Sequence, residues 1–214
     1  MHSLGARHGV NMSVSVEGDF GTHPEYNPRA ETLHFDDTAN EDNWQDEVYR
    51  YAGVEFAKRG FRRVVDVGCG SGFKLVKYFG PGVTVGLELD PALSFVRQRY
   101  PGRDWRSAQN LSIGLRDADM VICSDVIEHL ADPAELLSKF ADCPAELFVI
   151  STPALEILVE LGGARRLGPP INESHAREWT TVEFGRFVSR YLKVVSHHVT
   201  SVWQGTQMVI ATKK

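Results

Sequence analysis

Two stretches of this 214-residue chain group side chains in ways that chemistry can use. In Ser124-Asp-Val-Ile-Glu-His-Leu130, the residues Asp125, Glu128 and His129 fall at i, i+3 and i+4, so on a helical turn the first shares a face with the other two. A second histidine, His175, stands in Asn172-Glu-Ser-His-Ala-Arg-Glu-Trp-Thr180. A histidine that titrates near neutrality can take the proton of a hydroxyl as its oxygen attacks, which makes His129 and His175 candidate catalytic bases. The same two histidines with Asp125 and Glu128 form a mixed nitrogen and oxygen donor set for a divalent ion, which would acidify a bound hydroxyl and orient a vicinal diol. A third role is structural, with Glu128 bracing the turn and His129 packed beneath a later segment. The spacing leaves all three open.

The other stretch is Val64-Val-Asp-Val-Gly-Cys-Gly-Ser-Gly72. A short β-branched run reads as a buried strand. The glycines at every second position let the backbone turn tightly and approach a ligand. Phe73 to Phe79 then returns to helical spacing. Strand, glycine turn and helix build a nucleotide-type site at the carboxyl end of a parallel strand. Glu88 lies twenty positions after Gly68, at the end of the next apolar run, where a carboxylate can accept both hydroxyls of a ribose. A dinucleotide fingerprint, G-x-G-x-x-G, would need a glycine at Phe73, so a dehydrogenase is disfavoured.

The elements that must hold these groups alternate. Strands are expected at Val64–Val67, Val83–Glu88, Asp104–Ser107, Met120–Ser124 and Leu147–Ser151, separated by helices, the mark of a parallel sheet covered on both faces. A helix capped by Thr180 or Thr181 and an antiparallel hairpin, Val194–Val202 with Thr206–Thr212, close the chain. The expected fold is α/β, a doubly wound Rossmann-like seven-stranded sheet, mostly parallel with a C-terminal antiparallel hairpin. Residues 1–26 lack periodicity and read as a flexible tail. Asp42 or Asn43 would cap a helix over 43–59, and 154–179 reads as an insertion facing the substrate.

Acid plus glycine loop, followed by Glu88, resembles the class I S-adenosylmethionine (SAM) methyltransferases over roughly Trp44 to the C-terminus. The resemblance implies SAM as cofactor, with Asp66, Gly68, Cys69, Gly70, Gly72, Glu88, Leu89, Ser107 and Asp125 as the residues that bind it. Asp66 would lie near the cationic end of SAM, Glu88 on the ribose and Ser107 near adenine. It also implies that helix 43–59 serves as a lid, where its apolar stripe alone equally suits an amphipathic helix packed on the domain edge, and that Asp125 to His129 passes the reactive methyl group. D-x-x-E-H with a distant H-x-x-E-W-T is similar to the metal-binding set of the small-RNA 2′-O-methyltransferases, with related pieces in ubiquinone-pathway O-methyltransferases. Asp125, Glu128, His129 and His175 match that set by position, although Asp125 is shorter than the Glu found there. F-D-D-T, W-Q-D-E-V-Y and S-H-A-R-E-W-T together look like small methyltransferases associated with sugar modification. The implied reaction is O-methylation of a hydroxylated small molecule or sugar. A non-catalytic SAM-binding module or partner subunit, and metal-assisted methylation of RNA, are the alternatives.

A formal charge of −5 argues against a broad nucleic-acid grip, which needs clustered Lys and Arg. Three cysteines with no C-x-x-C pair suit a reduced, cytoplasmic chain. No apolar run approaches the length that spans a membrane.

Overall fold

The computed structural model describes residues 18–39 and 43–214. Seven strands form one sheet in the order β3-β2-β1-β4-β5-β7-β6. They are β1 (Val64–Val67), β2 (Thr84–Glu88), β3 (Asp104–Ser107), β4 (Met120–Ser124), β5 (Leu147–Pro153), β6 (Lys193–Ser201) and β7 (Thr206–Thr212). The first five pair in parallel, and β7 inserts antiparallel between β5 and β6. This is the expected sheet, with the order in which strands are added reversing between β1 and β4. That reversal opens a crevice at the carboxyl ends of the strands, where open α/β sheets bind ligands.

Strands β1, β4 and β5 are buried along almost their whole length, because helices cover both faces. Alternate residues divide between two cores. Val65, Val67, Val121 and Phe148 face α5 (Pro133–Asp142) and α7 (Thr181–Ser189). Val64, Met120, Ile122 and Val149 face α1 (Asp46–Arg59), α2 (Phe73–Tyr78) and α3 (Ala92–Arg99). Asp66 falls on this second face and is fully buried. Two short helices, α4 (Leu111–Leu115) and α6 (Leu155–Glu160), complete the set.

Local signals account for several helix starts. Asp132 accepts from the backbone N–H of Ala134 and Glu135 ahead of α5, with Pro133 at the first helical position. Thr180 and Glu183 form a capping box on α7. Ahead of α3, Asp90 accepts from the N–H and hydroxyl of Ser94.

The chain's beginning departs from the expected tail. Residues 1–17 lie outside the described residues, but 18–26 are packed. Phe20 meets Phe187 edge-on, its carbonyl accepts from the Trp179 indole, and Tyr26 is buried with its hydroxyl on the Glu178 N–H. Buried aromatic partners on the insertion and α7, invisible at this range in sequence, hold the segment. Helix α1 begins at Asp46, later than expected, because Gln45 takes a left-handed backbone (φ 59°). Asp42, one of the expected caps, lies outside the described residues, and Asn43 stands before the turn.

The segment between β5 and α7 carries α6 and an irregular stretch. It returns to the end of β5 through a bridge between Ala154 and Trp179. Among the described residues no helix is long and apolar enough to cross a membrane. All three cysteines are free and buried.

Candidate active site

A cavity of about 770 Å³ opens over the carboxyl ends of β1, β2 and β4. It is large enough for a nucleoside-sized ligand with room beyond it.

Its glycine-loop end is shaped mainly by backbone. Gly68, Gly70 and Gly72 all have positive φ. A Cβ on Gly70 would stand 1.8 Å from Asp37 Oδ2, so the segment before α1 closes down on this loop only because the residue is glycine. Gly70 N–H donates to Glu88 Oε2 and Leu89 N–H donates to Glu88 Oε1, both at 2.8 Å. The Glu88 carboxylate is thus pinned at the end of β2, and its burial holds its pKa above the ordinary value. Gly68, Cys69, Gly70, Glu88, Leu89 and Asp125, all expected at the cofactor, line the cavity.

Three other expected cofactor residues stand back from it. Gly72 is not part of the cavity wall; a Cβ there would meet the Trp105 ring at 2.8 Å, so its glycine answers to packing. Ser107 is also off the wall, and its hydroxyl accepts from Gln109 N–H to start a 3-10 turn. Asp66 lies beneath the wall, accepting from the Tyr49 hydroxyl at 3.0 Å, and it is Tyr49 that reaches the cavity. Burial raises the Asp66 carboxyl to about 7.

Helix α1 closes one side. Gln45 Nε2 donates to Asp125 Oδ2 at 2.7 Å, and the Gln45 N–H is held by Gln204 at the tip of the β6–β7 hairpin. Asp125 Oδ1 accepts from Ser151 Oγ at 2.7 Å. Gln45 and Asp125 both have left-handed backbones (φ 59° and 51°), an uncommon state for such residues that concentrates at functional sites.

The far end is shaped by side chains. A 3-10 turn over Ile127–His129 follows β4, and its Glu128 carbonyl accepts from Ala176 N–H at 2.7 Å. Arg177 binds the carbonyls of Leu130 and Ala131, locking the insertion to this turn. One ligand atom each of Glu128, His129 and His175 lies within 4.8 Å of the others. The two rings stand edge to face with centroids 4.9 Å apart. His129 Nδ1 is 2.7 Å from the Ser174 carbonyl, which can only accept, so the proton sits on Nδ1 and the lone pair on Nε2. His175 Nδ1 pairs with Glu178 Oε1 at 2.9 Å, and its Nε2 takes the Asn172 amide at 3.0 Å. Glu128 Oε2 accepts from Thr152, whereas Oε1 is buried with no partner.

Burial, with Asp125 and Glu178 nearby, pushes the Glu128 carboxyl well up. Burial, reinforced by His175, pushes His129 down to about 4. Asp125 stands apart from the three-residue group, its two oxygens committed to Ser151 and Gln45. Phe35 stacks over His129 at 6.1 Å and lines the cavity.

A sequence model described as a methyltransferase domain matches residues 37–204. The chain belongs to the class I SAM-dependent methyltransferases. The magnesium protoporphyrin IX methyltransferase of Synechocystis, solved with bound S-adenosylhomocysteine (SAH), superposes with a TM-score of 0.59 at 17% identity, covering 79% of this methyltransferase and 84% of that chain. The mitomycin 7-O-methyltransferase MmcR superposes with a TM-score of 0.59 at 18% identity, over 80% of this chain and 54% of the other. A tRNA U34 carboxymethyltransferase of Methylococcus capsulatus is 31% identical over 108 residues. That match spans 44% of this methyltransferase and only 33% of the relative's length.

Three contributors to the site carry no assigned role in the sequence reading. Tyr49 and Gln45 belong to the quoted W-Q-D-E-V-Y run, and Glu178 to H-x-x-E-W-T. The three-residue spacing of His175 and Glu178 was the available signal for the last.

Proposed function

We propose that this methyltransferase moves the SAM methyl group to a hydroxyl oxygen of a small hydroxylated acceptor, such as a sugar. In this reading SAM lies along the glycine loop, with its ribose on Glu88. The acceptor enters under Phe35 and presents its hydroxyl to Glu128, His129 and His175. Attack is in line on the sulfonium methyl, and the protein contributes alignment and removal of the hydroxyl proton.

One observation carries the acceptor end. Both imidazoles have Nδ1 engaged from behind, so both Nε2 atoms offer lone pairs, and Glu128 Oε1 is a buried acceptor without a partner. That donor set fits a divalent ion. Imidazoles oriented by a carbonyl or carboxylate are the usual metal ligands, and a carboxylate completes a hard, mixed set. Glu128, His129 and His175 would hold the ion, and the Asn172 amide would yield its place on His175. When bound, the ion would lower the pKa of the acceptor hydroxyl and orient a neighbouring one.

The test is methyl transfer from labelled SAM to a panel of sugars and phenols, before and after exhaustive chelation. The expected result is loss of transfer on chelation, restored by Mg²⁺, Mn²⁺ or Co²⁺. Calorimetric titration of Mn²⁺ should show one site that Glu128→Gln abolishes. Full activity after chelation would leave the histidines as the acid–base pair. SAH binding without transfer to any acceptor would favour a binding module, and transfer to RNA alone would favour the 2′-hydroxyl reading.

A further inference from the structure

Lys74 occupies the first turn of α2, four residues beyond Gly70. It is only 6% exposed, yet it forms part of the cavity wall. Its ammonium lies 5.9 Å over the Tyr49 ring. Burial raises the carboxyls of both Asp66 and Asp125, and the nearby Lys74 charge offsets a small part of that rise. Among the described residues, however, no hydrogen bond or ion pair reaches it. Lysines this buried are rare unless paired, and cavity-facing ones are places for an anion.

The surroundings narrow the anion. Tyr49, Asp66 and the glycine loop belong to the cofactor end of the cavity. A carboxylate suits a single buried ammonium better than a phosphate, whose second charge one cation would leave uncompensated. SAM carries an α-amino-acid group whose ammonium and carboxylate must both be met. The acids can meet only the first.

We propose that Lys74 binds the α-carboxylate of the cofactor's methionine part. The inference rests on SAM occupying the glycine-loop end as described above. In that arrangement Lys74 fixes the amino-acid end while Glu88 fixes the ribose, so the sulfonium between them is positioned from both sides.

The test is calorimetric titration of the full chain with SAH and with its decarboxylated analogue, for the wild type and for Lys74→Met. Methionine keeps the length of the lysine stem and removes the charge. The wild type should prefer SAH by about ten- to a hundredfold, and Lys74→Met should lose that preference while binding the analogue within about twofold of wild type. Binding of the analogue also reports an intact cavity; if Lys74→Met does not fold, Lys74→Gln carries the same comparison. Equal loss of both ligands, or no loss of SAH, would overturn the inference. So would a variant that keeps SAH affinity and raises only the KM of a carboxylated acceptor. Failure of the wild type to bind SAH at all would overturn the cofactor placement itself, a separate result.

Discussion

The two ends of the cavity are built by different means. At the glycine-loop end the groups facing the ligand come from neighbouring stretches of chain, and the Glu88 carboxylate is held by two backbone N–H groups. At the acid–histidine end, His129 and His175 come from segments 46 residues apart and are held by Ser174 and Glu178, while Thr152 holds Glu128. The first end leaves little to side-chain choice. Both ends leave a buried carboxylate oxygen without a partner, Asp66 Oδ1 at the first and Glu128 Oε1 at the second, but the second sets its carboxylate beside two imidazoles. In the proposed reading the glycine-loop end binds and the other end acts. A substitution at one end should move affinity and at the other turnover.

The strongest test is His129→Ala. Turnover should fall by roughly 10²–10⁴-fold, the scale of losing a proton-handling group, while SAH affinity measured by calorimetry stays near wild type. Equal loss of both would erase the division between the ends. Glu88→Ala should do the reverse. Removing a charged acceptor from both ribose hydroxyls should weaken SAH by about a hundredfold, with turnover at saturating SAM little changed. Glu178→Gln sharpens the comparison inside the acting end. It leaves His175 with a weaker acceptor and should lower divalent-ion affinity or turnover by about tenfold, with SAH binding unaffected.

The smallest effect concerns Asp66. Its carboxyl is raised to about 7 in the fold by burial, against an ordinary value near 4. The folded state therefore holds a proton that the unfolded chain gives up. That stabilisation is complete below about pH 4 and is lost as pH rises through about 7. Without cofactor, melting temperature should fall between pH 5 and 8. Asp66→Asn, which is neutral throughout, should flatten that fall and gain on the order of 2–4 kcal/mol over wild type at pH 8. An unchanged pH profile would show that Asp66 stays ionised beneath Tyr49.

Most of the sheet was legible before the structure because each strand carries its own signal. Val64–Val67 and Met120–Ser124 are short β-branched runs between turn residues, and their boundaries match expectation. The capping box at Thr180 is equally local. The beginning of the chain was not legible. Phe20 and Tyr26 are ordered by Trp179, Phe187 and Glu178, more than 150 residues away, and no local periodicity announces such contacts. Ser107 and Gly72 were expected at the cofactor; in the structure both stand off the cavity wall, Ser107 starting a 3-10 turn and Gly72 packed against Trp105. In both, a residue type suited to a ligand is equally suited to packing, and only its neighbours decide between them.

The sequence alone determined the parallel sheet, the glycine loop and the acid that faces it, because strand propensity, glycine's access to positive φ and a twenty-residue spacing are properties of contiguous chain. Only the tertiary structure decided that Glu128, His129 and His175 meet while Asp125 turns to Gln45 and Ser151, and that Lys74 faces the cavity. Those outcomes depend on how the insertion docks on the turn after β4 and how α1 and α2 close over the loop. They are set by burial and hydrogen bonding between distant segments, which no local pattern encodes.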